Sequence, residues 1–375
     1  MDLSIIVTYR CNSHCSTCNI WKHPTRPGVE IGLDLLRKLP AGFDNLNITG
    51  GEPTLRSDLA EIAGVLRPKA RTLEISSNGL FPQRLEAIVS RFPDIKIRFS
   101  LEGRAEVSDV IRGEKDGFAV KVAGMRRLKK LGGKDLGFAA VIQDENVADL
   151  PLLYDLCQEM GLELSTSALH NGFQFHKADN FPYDRRRVAR GIEPLIVRML
   201  KSNSLKNWFR AYMNLGLMEK IIGNERLIPC TAGTGFAFVD PWGDVYACNV
   251  RSDLHMGSLK SQTWEEIQRG EAALEVRRKV AGCPQNCWMV GSARTAMRHP
   301  LFTRLPRLKP LWWVLLNKAR VMRNIPIPFE RYVDFSMAGS HPAGTRRQPF
   351  LPGQREPIQP RDGSNYAAYG DFHNR

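Results

Sequence analysis

Cys11, Cys15 and Cys18 place three thiols within eight residues, directly behind the apolar run Leu3-Ser4-Ile5-Ile6-Val7, which reads as a buried strand. A loop leaving a strand can wrap three sulfurs around one iron–sulfide cube, leaving one of its four irons without a protein ligand. Zinc is the competing occupant. A structural zinc site closes with a fourth ligand, however, and the nearest imidazole, His14, lies inside the same short loop. An open iron gives the spacing a use, because it can chelate a substrate and pass it an electron.

Strand-like stretches at 3–8, 44–49, 71–76, 95–101, 136–142 and 162–167 alternate with helix-like stretches at 30–39, 56–66, 82–91, 117–131 and 147–160. This alternation predicts an α/β fold with a parallel sheet. A partial (β/α)6 TIM-like barrel fits better than a doubly wound sheet, since no dinucleotide glycine fingerprint follows the first strand. Chemistry then gathers at the C-terminal strand ends, where Cys11, Gly50, Ser76 and Ser100 fall. Further on, 235–248 predicts a hairpin turning at Asp240-Pro241-Trp242-Gly243-Asp244, and 262–280 a helix. Cys230, Cys248, Cys283 and Cys287 bracket these elements. Four thiolates close a metal site, and residue chemistry alone leaves zinc and a cluster equally open. The eighth cysteine, Cys157, stands inside a helical stretch and reads as a small buried apolar residue.

The three-cysteine loop after the first strand resembles that of the radical S-adenosylmethionine (SAM) superfamily, with motifs in matching order over roughly residues 3–170. Thr49-Gly50-Gly51-Glu52-Pro53 looks like the family's GGEP segment, which implies that Gly50, Gly51, Glu52 and Pro53 receive the methionine amino group of SAM. A carboxylate suits an ammonium, and paired glycines allow close backbone approach. Ser76 and Asn78 after the third strand, and Ser100 after the fourth, match positions that bind the SAM ribose and carboxylate, while Val141 matches the residue that meets adenine. Two positions depart from the pattern: Thr17 replaces an aromatic residue, and Glu102 an aspartate. The second cysteine group resembles the twitch form of the SPASM extension, which implies one auxiliary 4Fe–4S cluster on Cys230, Cys248, Cys283 and Cys287, with Met256-Gly257-Ser258-Leu259 as a helix entry. The expected plan is a core barrel at 1–205, a cluster-binding hairpin-plus-helix subdomain at 206–300, a basic amphipathic extension at 301–335 and a flexible tail at 336–375.

The implied activity is reductive cleavage of SAM to a 5′-deoxyadenosyl radical that takes hydrogen from a small-molecule or lipid-linked substrate, oxidising or rearranging it. An external one-electron reductant of flavodoxin or ferredoxin type is implied with it. A peptide-modifying maturase is the alternative. An iron–sulfur or zinc nucleic-acid module would suit the net charge of +14 but leaves the ordered SAM motifs unexplained, so nucleic acid is not expected as a partner. Arg112, Arg185, Arg186, Arg187 and His170 are candidates on the substrate side; the ordinary reading of each is solvent-exposed charge or a surface turn, and none is assigned a role. The absence of a long apolar run and of a basic leader predicts a cytoplasmic location. Within 301–329 six Lys and Arg residues and no acid flank Leu311-Trp312-Trp313-Val314-Leu315-Leu316, and a helix there would gather Trp312, Leu315, Leu316, Ala319 and Met322 on one face. That composition suits peripheral contact with an anionic inner membrane face; the competing expectation is that both tryptophans pack on the barrel.

Overall fold

A computed structural model of the chain describes residues 1–298 and 308–338. The tail expected from 336 falls, from 339 onward, outside the described residues, as do 299–307 of the basic extension. Six strands, β1 (Asp2–Ile6), β2 (Phe43–Thr49), β3 (Ala70–Ser77), β4 (Lys96–Ser100), β5 (Asp135–Ile142) and β6 (Glu163–Ala168), lie parallel in chain order. Helical crossovers join them: α1 (Leu33–Arg37), α2 (Leu59–Leu66), α3 (Gln83–Arg91), α4 (Ala105–Arg112), α5 (Gly117–Lys130) and α6 (Leu150–Glu159). Strand alternation sorts the two faces. Leu46, Ile48, Leu73, Ile75, Ile97 and Phe99 are buried in the core shared with the helices, whereas the intervening Asn47, Thr49, Ser76, Arg98 and Ser100 occupy the other face. This arrangement is the expected mixed α/β fold with a parallel core.

Helix α4 escapes sequence periodicity because it carries few apolar residues, and only Ser108, Ile111 and Arg112 are buried on it. Gly113, at φ +60°, ends it in the left-handed conformation that glycine adopts without strain. After β6 the chain runs through α7 (Arg185–Arg190), α8 (Glu193–Lys201) and α9 (Leu205–Ile222), the last packed on β6. The predicted hairpin is present as β7 (Phe236–Val239) and β8 (Asp244–Tyr246). Rather than standing apart, β7 pairs parallel with β1, Ile5 opposite Val239, so the sheet continues to nine strands. Met256-Gly257-Ser258 lies in β9 (His255–Ser258), antiparallel to β8, and leads into a helix that begins at Trp264. The helix expected over 262–280 is two, α10 (Trp264–Arg269) and α11 (Glu271–Ala281), because Gly270 is extended between them. Then follow α12 (Val290–Arg298) and α13 (Leu308–Met322).

Candidate active site

The cysteine loop leaves β1 and is held from three sides. His14 and Ser16 donate backbone N–H groups to the carbonyls of Arg112 and Ile111 at the end of α4 (3.1 and 2.9 Å). Asn180 donates to the carbonyl of Thr17 at 2.8 Å, and the Asn19 side chain to that of His176 at 2.9 Å, so the segment after β6 closes over the loop. On the β1 side the buried Glu30 carboxylate accepts from Thr8, Thr25, Arg10 and Arg56. Burial raises all three thiols, and the nearby Cys15 adds to it at Cys11 and Cys18, which are pushed up to about 12. Thiols so placed stay protonated until a metal takes the proton's place, and their mutual repulsion marks a shared centre.

Around this loop the strand ends supply the motif residues. Gly50 and Gly51 do permit a close approach, but to the chain itself: a β-carbon would lie 2.7 Å from the Thr8 carbonyl oxygen at Gly50 and 2.3 Å from that of Arg10 at Gly51. The Gly51 and Glu52 N–H groups donate to those same carbonyls at 2.7 Å. Glu52 is fully buried before the turn begun by Pro53. Its Oε1 accepts from the Thr54 N–H and hydroxyl and from the Ser77 hydroxyl; Oε2 accepts from the Asn78 N–H at 2.6 Å. The carboxylate thus braces the ends of β2 and β3. Asn78 carries the brace onward, its amide donating to Asn12 and Ser13 of the cysteine loop at 2.6 and 2.9 Å. Ser76 bonds to Asn47 across the sheet at 3.0 Å, while its neighbour Ser77 reaches Glu52. Ser100 ends β4 half-buried, and Val141, in β5, donates its N–H to Glu102 Oε2 at 2.7 Å.

One network was not legible beforehand. Glu102 Oε1 accepts from Arg112 at 3.0 Å, Arg112 also pairs with Glu114 at 3.1 Å, and Glu114 takes the Ser13 hydroxyl at 2.6 Å and the wholly buried Lys121. Arg112 is therefore no surface charge but a buried cation beside Cys15. The Arg112-Gly113 pair, a last-turn cation before a helix-ending glycine, was the available signal. Arg186 and Arg187 bond to the carbonyl of Phe335 and to Asp144, which accounts for them as structural. His170 follows β6 with its ring against Phe175 and Nδ1 3.3 Å from the Ala168 carbonyl; Nε2 has no partner among the described residues. Lys220 donates to the carbonyls of Ala168 and Leu169 beside it.

Cys230, Cys248, Cys283 and Cys287 line one cavity with Arg226, Phe236, Arg251 and Leu254. Burial pushes Cys248 up to about 12 and Cys287 to about 11. Arg251 donates to Cys283 Sγ at 3.6 Å while pairing with Asp253, and Lys220 and Arg226 act on Cys287. The four thiols thus face one common cavity. An apolar layer of Tyr9, Phe173, Phe236, Phe238 and Tyr246 has Cys11, Cys18 and Trp242 against it, and its Phe236 also lines the cavity of the four cysteines. Cys157 is buried in the main core.

Residues 5–157 match the radical SAM superfamily, and residues 230–289 match SPASM, an iron-sulfur cluster-binding domain. The chain carries a radical SAM domain and, in its C-terminal region, a SPASM domain; it is an enzyme, and its cofactors are SAM and two 4Fe–4S clusters. It is 27% identical to pre-heme d1 synthase of Dinoroseobacter shibae over 307 residues, 73% of this chain and 74% of that one. It is 26% identical to mycofactocin maturase MftC of Mycolicibacterium smegmatis over 319 residues, 80% and 79% of the two chains. In fold it is similar to Streptococcus suis SuiB, with a TM-score of 0.56 at 17% identity over 74% of this chain and 67% of SuiB.

Proposed function

We propose that Cys11, Cys15 and Cys18 hold the SAM-cleaving cluster, that Cys230, Cys248, Cys283 and Cys287 hold the auxiliary one, and that a substrate C–H bond is oxidised between them. The observation that supports this reading is the aromatic layer, which touches Cys11 and Cys18 and, through Phe236, the cavity lined by the other four cysteines. Bound there, SAM and the clusters supply a 5′-deoxyadenosyl radical for hydrogen abstraction and an acceptor for the electron left on the substrate.

The chain's own residues position and exclude. Ser76, Asn78, Ser100 and Val141 line the strand ends along which SAM extends, and Pro53 fixes the turn beside them. Gly50 and Gly51 let the β2 loop seat on the β1 extension, so that a shift of either moves the cysteines. Glu52 offers Oε2, which has one partner, to the SAM ammonium, while Oε1 keeps the loop in shape. Tyr9, Phe173 and Phe238 keep water from the radical's path. A flavodoxin or ferredoxin type protein supplies electrons.

The substrate is a small or lipid-linked molecule in this reading, which gains support from relatives named as synthases of pre-heme d1 and Fe-coproporphyrin III. Peptide modification is the second reading, favoured by the likeness to mycofactocin maturase across four-fifths of the chain. Anaerobically reconstituted enzyme with SAM, reductant and deuterated candidates of both classes separates them. Deuterium should enter 5′-deoxyadenosine with one class only, and the product should be lighter by two hydrogens. A product of unchanged mass would reject oxidation in favour of rearrangement.

A further inference from the structure

Exposed large apolar side chains are not scattered evenly over this molecule. Of the sixteen among the described residues, six fall between 311 and 325: Leu311, Trp312, Leu315, Leu316, Met322 and Ile325, with Trp312 68% exposed and Met322 61%. Single exposed apolar residues are ordinary on a protein surface; a contiguous row is a contact surface. The spacing explains the row. Helix α13 turns Trp313, Val314, Asn317 and Val321 inward against α8 and α9, where Trp313 meets the rings of Tyr212 and Tyr332. Leu311, Trp312, Leu315, Leu316, Ala319 and Met322 recur on the opposite side, so the helix is apolar on both faces and only one is covered.

The charges around the row select its partner. Lys309 and Arg323 are exposed, Arg320 is half-buried, and none of the three has an ion-pair partner among the described residues. No acidic residue occurs between 301 and 329. Lys318, which the sequence places with them, is spent elsewhere: its ammonium donates to the carbonyls of Leu200 and Ser202 and sits over the Trp208 ring. A second copy of this chain would set like charges against like, on molecules each carrying a net charge of +14. An acidic bilayer answers both halves of the surface, with headgroups for the cations and the upper acyl region for the leucines and the tryptophan. No helix among the described residues is long and apolar enough to cross a membrane, so the contact is peripheral.

We propose that the outer face of α13 is a docking surface for an anionic lipid bilayer, entered by Trp312, Leu315, Leu316 and Met322 and ringed by Lys309, Arg320 and Arg323. This surface is independent of the substrate assignment. The test is co-sedimentation of the full-length, cluster-loaded enzyme with vesicles of phosphatidylcholine alone or with one-third phosphatidylglycerol. Most of the protein should pellet with the acidic vesicles, roughly tenfold less with neutral ones, and less again at high salt. Trp312→Glu with Leu315→Glu should remain in the supernatant with unchanged circular dichroism and iron content, because both side chains are exposed. Lys309→Glu with Arg323→Glu should weaken binding while leaving the apolar row intact. Three results overturn the proposal: wild type left in the supernatant, a double variant that pellets like wild type, or a dimer in sedimentation velocity that Trp312→Glu dissolves while vesicles bind neither protein. The last would make the face a contact between copies.

Discussion

The two cysteine groups are built on opposite electrostatic plans. Around Cys11, Cys15 and Cys18 the chain sets Glu52, Glu102 and Glu114 against Arg112 and Lys121; the last four are bonded to one another, Glu102 also to β5, and Glu52 to β3. Around Cys230, Cys248, Cys283 and Cys287 stand Arg226, Arg251 and Lys220, and Asp253 is taken up by Arg251. A balanced shell suits a site that must accept SAM, which carries an ammonium, a sulfonium and a carboxylate. A cationic shell suits a site that must hold an extra electron, since net charge and hydrogen bonds to sulfur set cluster potentials. Sequence spacing distinguishes three thiols from four; only the folded chain shows that their surroundings differ in sign.

Removing the first group should have the largest effect. Cys11→Ala, Cys15→Ala and Cys18→Ala together should lower the iron content from about eight to about four per chain and abolish SAM cleavage, with the second cluster's spectrum preserved. Stoichiometric zinc in the second site would break the comparison at its root.

Glu52→Gln should come next, and the structure sharpens what it tests. Removing the charge should weaken SAM binding by about tenfold or more, because charge-assisted hydrogen bonds contribute roughly 1.5–3 kcal/mol. Both oxygens of this side chain also face donors: three on Oε1 and the Asn78 N–H on Oε2. Whichever way the amide turns, its NH2 meets an N–H or a hydroxyl, so the loop carrying Asn78 should loosen and the melting temperature should fall as well. Unchanged SAM affinity by equilibrium titration would show that Glu52 serves as a brace alone.

What was legible follows from which signals are local. The six parallel strands stand within a few residues of the predicted stretches because Leu, Ile, Val and Phe repeat at alternate positions bounded by turns. The cysteines and strand-end motifs are local too. Glu102, Arg112, Glu114 and Lys121 were not legible as a unit, since they come together only when α4 and α5 fold back on the cysteine loop. Residue spacing also could not say that β7 would join β1, because Phe236-Ala237-Phe238-Val239 is buried throughout and fits a hairpin or a sheet extension equally. The row on α13 was legible, since helical spacing alone assigns its faces; that only Trp313 of the two tryptophans packs inward required the fold.

The smallest effect expected is also the one that addresses the sign of the second shell directly. Arg251 donates to Cys283 Sγ at 3.6 Å and pairs with Asp253 at 2.6 Å, so Arg251→Ala deletes a cation and a sulfur hydrogen bond and leaves Asp253 unpaired. All three changes disfavour the reduced cluster. Its potential should fall by on the order of 50 mV, the one-electron equivalent of roughly 1 kcal/mol for a charge near the surface. Arg251→Lys keeps the charge without the fork and should fall between variant and wild type. The first cluster should keep its potential, which makes it an internal control in the same redox titration followed by electron paramagnetic resonance. If both potentials move together, the two sites share one electrostatic environment and the contrast between them fails. If neither moves while iron content drops by about half, Arg251 holds Cys283 in place rather than tuning what it binds.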